Sequence, residues 1–211
     1  MSNSIELYNY SKSLKIDTNF YLLIPNLNYT KKAIKHNIEN MSFITSVSNE
    51  FQLKNIKKTL NETKDEIKSI SKFISNKNIN NKKLYISCIN QCPISGIIDN
   101  NYIVDEILYY NSLDSFDELC LSDTCGKLDF KNFRIIIDSL LEHMNSNKLS
   151  LHLHMSDDLN NLSDIINYAI DNRINSFDIS ILNSGGCSVT MEKDKLNNNL
   201  TYDALYKILN I

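Results

Sequence analysis

The residues best placed to do chemistry are two histidines on one extended stretch. Lys148-Leu149-Ser150-Leu151-His152-Leu153-His154-Met155 alternates polar and apolar side chains, the pattern of a β-strand. A period of two puts His152 and His154 on the same face, where two imidazoles grip one divalent cation from one side. A half-buried strand with two hydrogen-bonded histidines has the same pattern, so the neighbouring groups must decide. Three other stretches carry reactive side chains: Cys88-Ile89-Asn90-Gln91-Cys92-Pro93, Asp123-Thr124-Cys125-Gly126 and Gly185-Gly186-Cys187. Cys88 and Cys92 are too far apart for a CxxC pair, and no second cysteine pair completes a zinc site. Five cysteines, odd in number and mostly in or near apolar runs, read as reduced thiols in an intracellular compartment.

The elements that must position these groups alternate regularly. Apolar runs at 20–24, 41–47, 84–89, 118–122, 148–155 and 176–181 read as strands. Amphipathic or helix-like segments lie at 5–14, 29–40, 55–73, 101–110, 130–143, 159–172 and 202–209. Short apolar strands alternating with such helices indicate parallel βα units in an α/β fold. A TIM-type barrel needs eight units and about 250 residues. This chain of 211 residues supplies six, short by the first two, so the expected fold is an incomplete (β/α) barrel. No internal linker divides it, and 1–211 reads as one domain with a divergent segment at 1–18. Barrel active sites lie at the C-terminal ends of the strands. Pro25-Asn26, Ser48, Cys88, Asp123-Thr124, His152, His154 and the residues from Asn183 onward all fall there.

Bulk properties narrow the partners. The net charge is −3, with Lys and Arg scattered among Asp and Glu, so no extended basic face points to nucleic acid or an anionic membrane. Only four glycines and two prolines are present, and asparagine is abundant throughout. Asn tolerates the left-handed region better than other non-glycine residues and replaces Gly at turns. Met1-Ser2-Asn3-Ser4 lacks the basic and apolar regions of a leader, and no apolar run reaches the roughly 18 residues of a membrane span. The expected location is cytoplasmic.

In their order on the strand ends, the motifs resemble the 3-hydroxy-3-methylglutaryl-CoA lyase family of metal-dependent (β/α)8-barrel lyases. The resemblance rests on Ser87-Cys88 through Cys92-Pro93 and Gly96, Ser122-Asp123-Thr124-Cys125-Gly126, His152-Leu153-His154 and Ser184-Gly185-Gly186-Cys187. Ile24-Pro25-Asn26-Leu27, Ser48 with Phe51 and Asn55, and Asn199-Leu200 with Leu205 fit as well. It runs from about residue 20 to the C-terminus. It implies that His152, His154 and Asn199 are metal ligands, though Asn197 and Asn198 compete with Asn199 for the third place. It also implies that Cys187 is an acid/base on a mobile loop and that Asp123 belongs to a proton relay. Asp123 before Thr124 would equally serve to cap a turn. The implied reaction is metal-assisted retro-aldol or Claisen-type cleavage of a 3-hydroxyacyl-CoA to acetyl-CoA and a keto acid such as acetoacetate. The Gly-Gly-Cys turn favours the lyases over the related condensing synthases.

The family's first strand ends in an Arg-Asp-Gly type motif that supplies a carboxylate ligand, and its second strand supplies a glutamate. Neither strand is found here. The resemblance implies Mg²⁺ or Mn²⁺ as cofactor, but two imidazoles and one amide suit Mn²⁺ or Zn²⁺ better than Mg²⁺. Three readings follow. The missing units come from another polypeptide, a second copy in a homo-oligomer, or a longer start. Alternatively, the chain is a catalytically dead or split-barrel relative that binds or scaffolds. In the third, Asp157 or Asp158 supplies the carboxylate.

Overall fold

The computed structural model describes residues 3–156, 158–181 and 197–210. The strands are β1 (Leu22–Leu23), β2 (Asn40–Ser46), β3 (Asn81–Ser87), β4 (Gln91–Cys92), β5 (Gly96–Ile97), β6 (Glu118–Ser122), β7 (Leu149–His152) and β8 (Phe177–Asp178). The helices are α1 (Ser4–Ser13), α2 (Leu27–Lys35), α3 (Asn49–Ile56), α4 (Leu60–Ile74), α5 (Asn100–Ser112), α6 (Phe130–Leu141), α7 (Leu159–Asp171) and α8 (Tyr202–Leu209). Six strands form one all-parallel sheet in the order β1-β2-β3-β6-β7-β8, and β4 and β5 form a separate antiparallel hairpin after β3.

The pleat separates two faces. Met41, Phe43, Leu84, Ile86, Leu119, Leu121, Leu149 and Leu151 alternate along the strands. All are buried in one cluster with the apolar stripes of the helices, among them Ile67 and Ile70 of α4, Ile107 of α5, Ile136 of α6 and Ile166 of α7. The opposite set of side chains forms rows fixed by strand register. Ile44, Tyr85, Cys120 and Ser150 make one row. Ser46, Ser87, Ser122, His152 and Asp178 make the next. The sheet curls around this inner face. Lys83 on β3 and Asp178 on β8 are three strands apart, about 14 Å in a flat sheet, yet Nζ and Oδ1 lie 2.7 Å apart. The result is an incomplete TIM-type barrel with helices outside and a polar concave face inside.

Polar side chains close the helix starts. Asn26, Ser48, Thr59, Asp99, Asp129, Asp158 and Thr201 each accept a hydrogen bond from a first-turn backbone N–H; a cap of this kind typically stabilises a helix by about 1 kcal/mol. The segment 55–73, read as one helix from its apolar spacing, is broken in the structure. Lys57 adopts φ 61° and ends α3, and Thr59 with Glu62 forms a capping box that starts α4. The β1 and β8 pairings are shorter than the apolar runs at 20–24 and 176–181, because each strand has a ladder partner on one side only. No described helix is long and apolar enough to cross a membrane.

Candidate active site

A cavity of about 430 Å³ opens on the concave face toward the C-terminal ends of the strands. β1 and β2 contribute Leu23, Ser42 and Ile44 to its wall, and β3 contributes Tyr85 and Ser87. Ser122, Thr124, His152, His154 and Asn199 close the far side, and Phe51 and Asn55 reach in from α3. Ser48 caps α3 by accepting from the Phe51 N–H at 3.2 Å, so the Ser-x-x-Phe-x-x-x-Asn spacing both starts that helix and aims its Phe and Asn at the cavity.

The histidine pair is assembled by two different partners. His152 closes β7, opposite Ser122 on one side and Asp178 on the other. Two residues on, His154 forms an isolated antiparallel bridge with Asn199. The Met155 N–H donates to the Asn198 carbonyl at 2.7 Å and the Leu200 N–H to the Leu153 carbonyl at 2.8 Å, pinning the 198–200 segment along the end of β7. Leu200 is fully buried and anchors it. The imidazole centroids are 5.3 Å apart. Burial, with His152 nearby, lowers the His154 pKa to about 4, so this ring is neutral and offers a lone pair at pH 7.

The three asparagines differ in their surroundings. Asn197 donates from its side chain to the Cys125 carbonyl at 3.2 Å, and Asn198 is exposed. Asn199 alone lines the cavity, and its Oδ1 is buried without a hydrogen-bond partner. A buried carbonyl oxygen left unpaired costs about 1–3 kcal/mol, so an oxygen of this kind beside two imidazoles suits a cation. Among the described residues no cluster of three His, Cys, Asp or Glu side chains is placed to hold a metal. A divalent ion would therefore draw on the Asn199 amide as its third protein donor.

The other expected residues fall elsewhere. Asp123 is buried, and its carboxylate accepts from the Lys127 N–H at 3.2 Å and the Leu128 N–H at 3.1 Å, holding the 123–128 loop closed. Burial raises its pKa despite those donors. The residue on the cavity from this loop is Thr124, whose hydroxyl also accepts from the Cys88 N–H at 2.9 Å. Asp158 is committed to capping α7 through the Asn160 and Asn161 N–H groups. Cys187 and Asp157 lie outside the described residues, and His36 and His143 are exposed on helix ends.

Two residues gain their surroundings only in the fold. Asp178 lies behind His152, with Oδ2 3.3 Å from its Nδ1; its only signal in the sequence is a polar residue at strand period between Phe177 and Ile179. Cys92, at the start of the hairpin, receives the Ser48 hydroxyl at 3.0 Å and the Ile94 and Ser95 N–H groups at 3.3 and 3.4 Å. The Cys88 thiol also donates to it, and these donors hold the Cys92 thiol below the ordinary thiol range despite its burial.

A curled, incomplete (β/α) barrel whose polar groups converge at the strand C-termini is the class of protein defined here. Within it, the chain is similar to 3-hydroxy-3-methylglutaryl-CoA lyases. It is 24% identical over 187 residues to the cytoplasmic enzyme of Rattus norvegicus, covering 89% of this chain and 53% of the relative. The lyase of Brucella melitensis superposes with a TM-score of 0.82 at 21% identity, over 100% of this chain and 71% of that one. The lyase of Acinetobacter baumannii, solved with coenzyme A and 3-methylmalate, gives a TM-score of 0.79 at 20% identity, over 92% and 61%. The chain spans about half the length of the curated relatives it matches. No family model matches it.

Proposed function

We propose that this chain works as a hydroxymethylglutaryl-CoA-lyase-like carbon–carbon lyase, cleaving a 3-hydroxyacyl-CoA to acetyl-CoA and a keto acid such as acetoacetate. The observation that carries the reading is the convergence of His152, His154 and the unpartnered Asn199 oxygen on one cavity. These three residues would hold a divalent cation, Mn²⁺ or Mg²⁺. Such an ion would supply Lewis-acid polarisation of the substrate's hydroxyl and carbonyl oxygens.

The rest of the wall suits a small polar acyl group. Ser87, Ser122 and Thr124 present hydroxyls along one side, positioned by consecutive strands so that a substrate's oxygens are oriented on entry. Phe51, Ile44 and Leu23 give the other side an apolar surface for the substrate's carbon skeleton. The lyase solved with coenzyme A and 3-methylmalate supports an acyl-CoA as the substrate class. Cys187 is assigned the proton to the departing carbanion. Asp123 enters chiefly by shaping the loop that presents Thr124; a proton relay through it requires its carboxylate to leave the Lys127 and Leu128 donors.

The test is acetoacetate release from 3-hydroxy-3-methylglutaryl-CoA in the presence of Mn²⁺, with the parent chain beside a His152→Ala/His154→Ala variant. Metal-dependent release by the parent and none by the variant supports the reading. Equal release from both, or none from either, removes it.

A further inference from the structure

The concave face holds a charged relay below the cavity that the lyase reading does not use. Lys83 is nearly buried and reaches two carboxylates, Glu118 at 2.8 Å and Asp178 Oδ1 at 2.7 Å. The Lys83 ammonium lies 4.8 Å from the centroid of the Tyr85 ring. The second carboxylate oxygen, Oδ2, faces His152 Nδ1 at 3.3 Å. The Lys83 ammonium at 2.7 Å is the counter-ion of this carboxylate, so Asp178 faces His152 as an anion.

An ionised carboxylate only accepts hydrogen bonds. With the Lys83 ammonium paired to Asp178, the nitrogen of His152 that faces the carboxylate must donate. The ring proton then sits on Nδ1, and Nε2 is left with its lone pair. We infer that Asp178, braced by Lys83, is a positioning residue that fixes His152 as the Nδ1–H tautomer and so prepares Nε2 to ligate a cation. This inference rests on the assignment of His152 as a ligand. A carboxylate behind a ligating histidine fixes its ring orientation and raises its basicity, and removing one typically lowers metal affinity about 10- to 100-fold. The register supports a built arrangement: His152 and Asp178 are direct ladder partners on β7 and β8, so the pair is set by the sheet and not by a mobile loop.

The experiment is long-range ¹H–¹⁵N correlation of the histidine rings at pH 8.5 in the metal-free full chain, beside Asp178→Asn and Asp178→Glu variants. A parallel Mn²⁺ titration is run on each protein. The expected result is an Nδ1–H tautomer for His152 in the parent and in Asp178→Glu. In Asp178→Asn, whose amide can donate toward Nδ1, the proton shifts to Nε2 and Mn²⁺ affinity falls about 10- to 100-fold. A parent with its proton on Nε2 overturns the inference, and that readout needs no variant to fold. An unchanged tautomer in Asp178→Asn overturns it as well. The parent's Mn²⁺ titration separately decides the metal assignment: a parent with the expected tautomer but no Mn²⁺ binding refutes the lyase reading and leaves the Asp178–His152 relationship standing as tautomer control alone.

Discussion

Gly126→Ala tests how tightly the loop after β6 controls the placement of Asn199. Gly126 has φ +62°, a left-handed conformation that costs a residue with a Cβ roughly 1–2 kcal/mol. A Cβ there would stand 2.5 Å from Asn197 Nδ2 and 2.9 Å from the Met155 carbonyl oxygen. The Asn197 side chain can move, but the Met155 carbonyl belongs to the backbone that pairs with Asn198. Overpacking of this kind costs about 1–3 kcal/mol, so the total loss should be about 2–5 kcal/mol. At about 2–4 °C per kcal/mol for a chain of this size, the melting temperature should fall by about 4–20 °C. Relief of the clash shifts the Met155 backbone and with it the Met155–Asn198 pairing that seats Asn199 beside His154, so Mn²⁺ affinity should fall as well. Gly96→Ala is the control: φ is +85°, but nothing lies within 4 Å of the added Cβ. It should show the backbone cost of roughly 1–2 kcal/mol only, with Mn²⁺ binding unchanged. Thermal unfolding and Mn²⁺ calorimetry on both variants provide the comparison. Equal stability losses, or undiminished Mn²⁺ affinity in a destabilised Gly126→Ala, would refute the coupling of this loop to the site.

Three further outcomes are expected. Lys83→Met leaves Glu118 and Asp178 without their shared cation on the concave face; both carboxylates keep some solvent contact, so the loss should be about 2–4 kcal/mol, near the low end for broken buried pairs, read by urea unfolding. Thr59→Ala removes the capping box that starts α4 and should cost about 1 kcal/mol with no change in Mn²⁺ binding. The Cys92 thiol is held below the ordinary range in the folded chain, whereas an unfolded thiol titrates near 8.5. Its stabilising contribution is therefore complete above about pH 8.5 and fades as pH falls toward the lowered value. Cys92→Ser should flatten that rise in unfolding free energy between mildly acidic and alkaline pH; an unchanged slope would contradict the hydrogen-bonded thiolate.

Much of this architecture is legible in the residues. Alternation at Leu149–His152 placed both imidazoles on one face because a strand's period is two, and the structure keeps them there even though the ladder itself stops at His152. The six parallel strands follow from apolar runs too short for helices. What was not legible depends on contacts between distant segments. The break between α3 and α4 lies at Lys57, a left-handed residue with no glycine to announce it. Asn199 reaches the cavity through its bridge to His154, a pairing of segments 45 residues apart. Asp178 gains its place only through register with His152 and the curl that brings Lys83 across the barrel. Of the two readings of Asp123, relay or turn cap, the carboxylate's contacts with the Lys127 and Leu128 N–H groups match the cap.

The central claim is that His152, His154 and Asn199 form one cation site. Calorimetric titration of the purified chain with Mn²⁺, beside the His152→Ala/His154→Ala and Asn199→Ala variants, tests it most directly. The parent should bind about one ion saturably, with binding abolished in the double variant and weakened in Asn199→Ala. Binding that is equal in all three proteins, or absent from the parent, would contradict it.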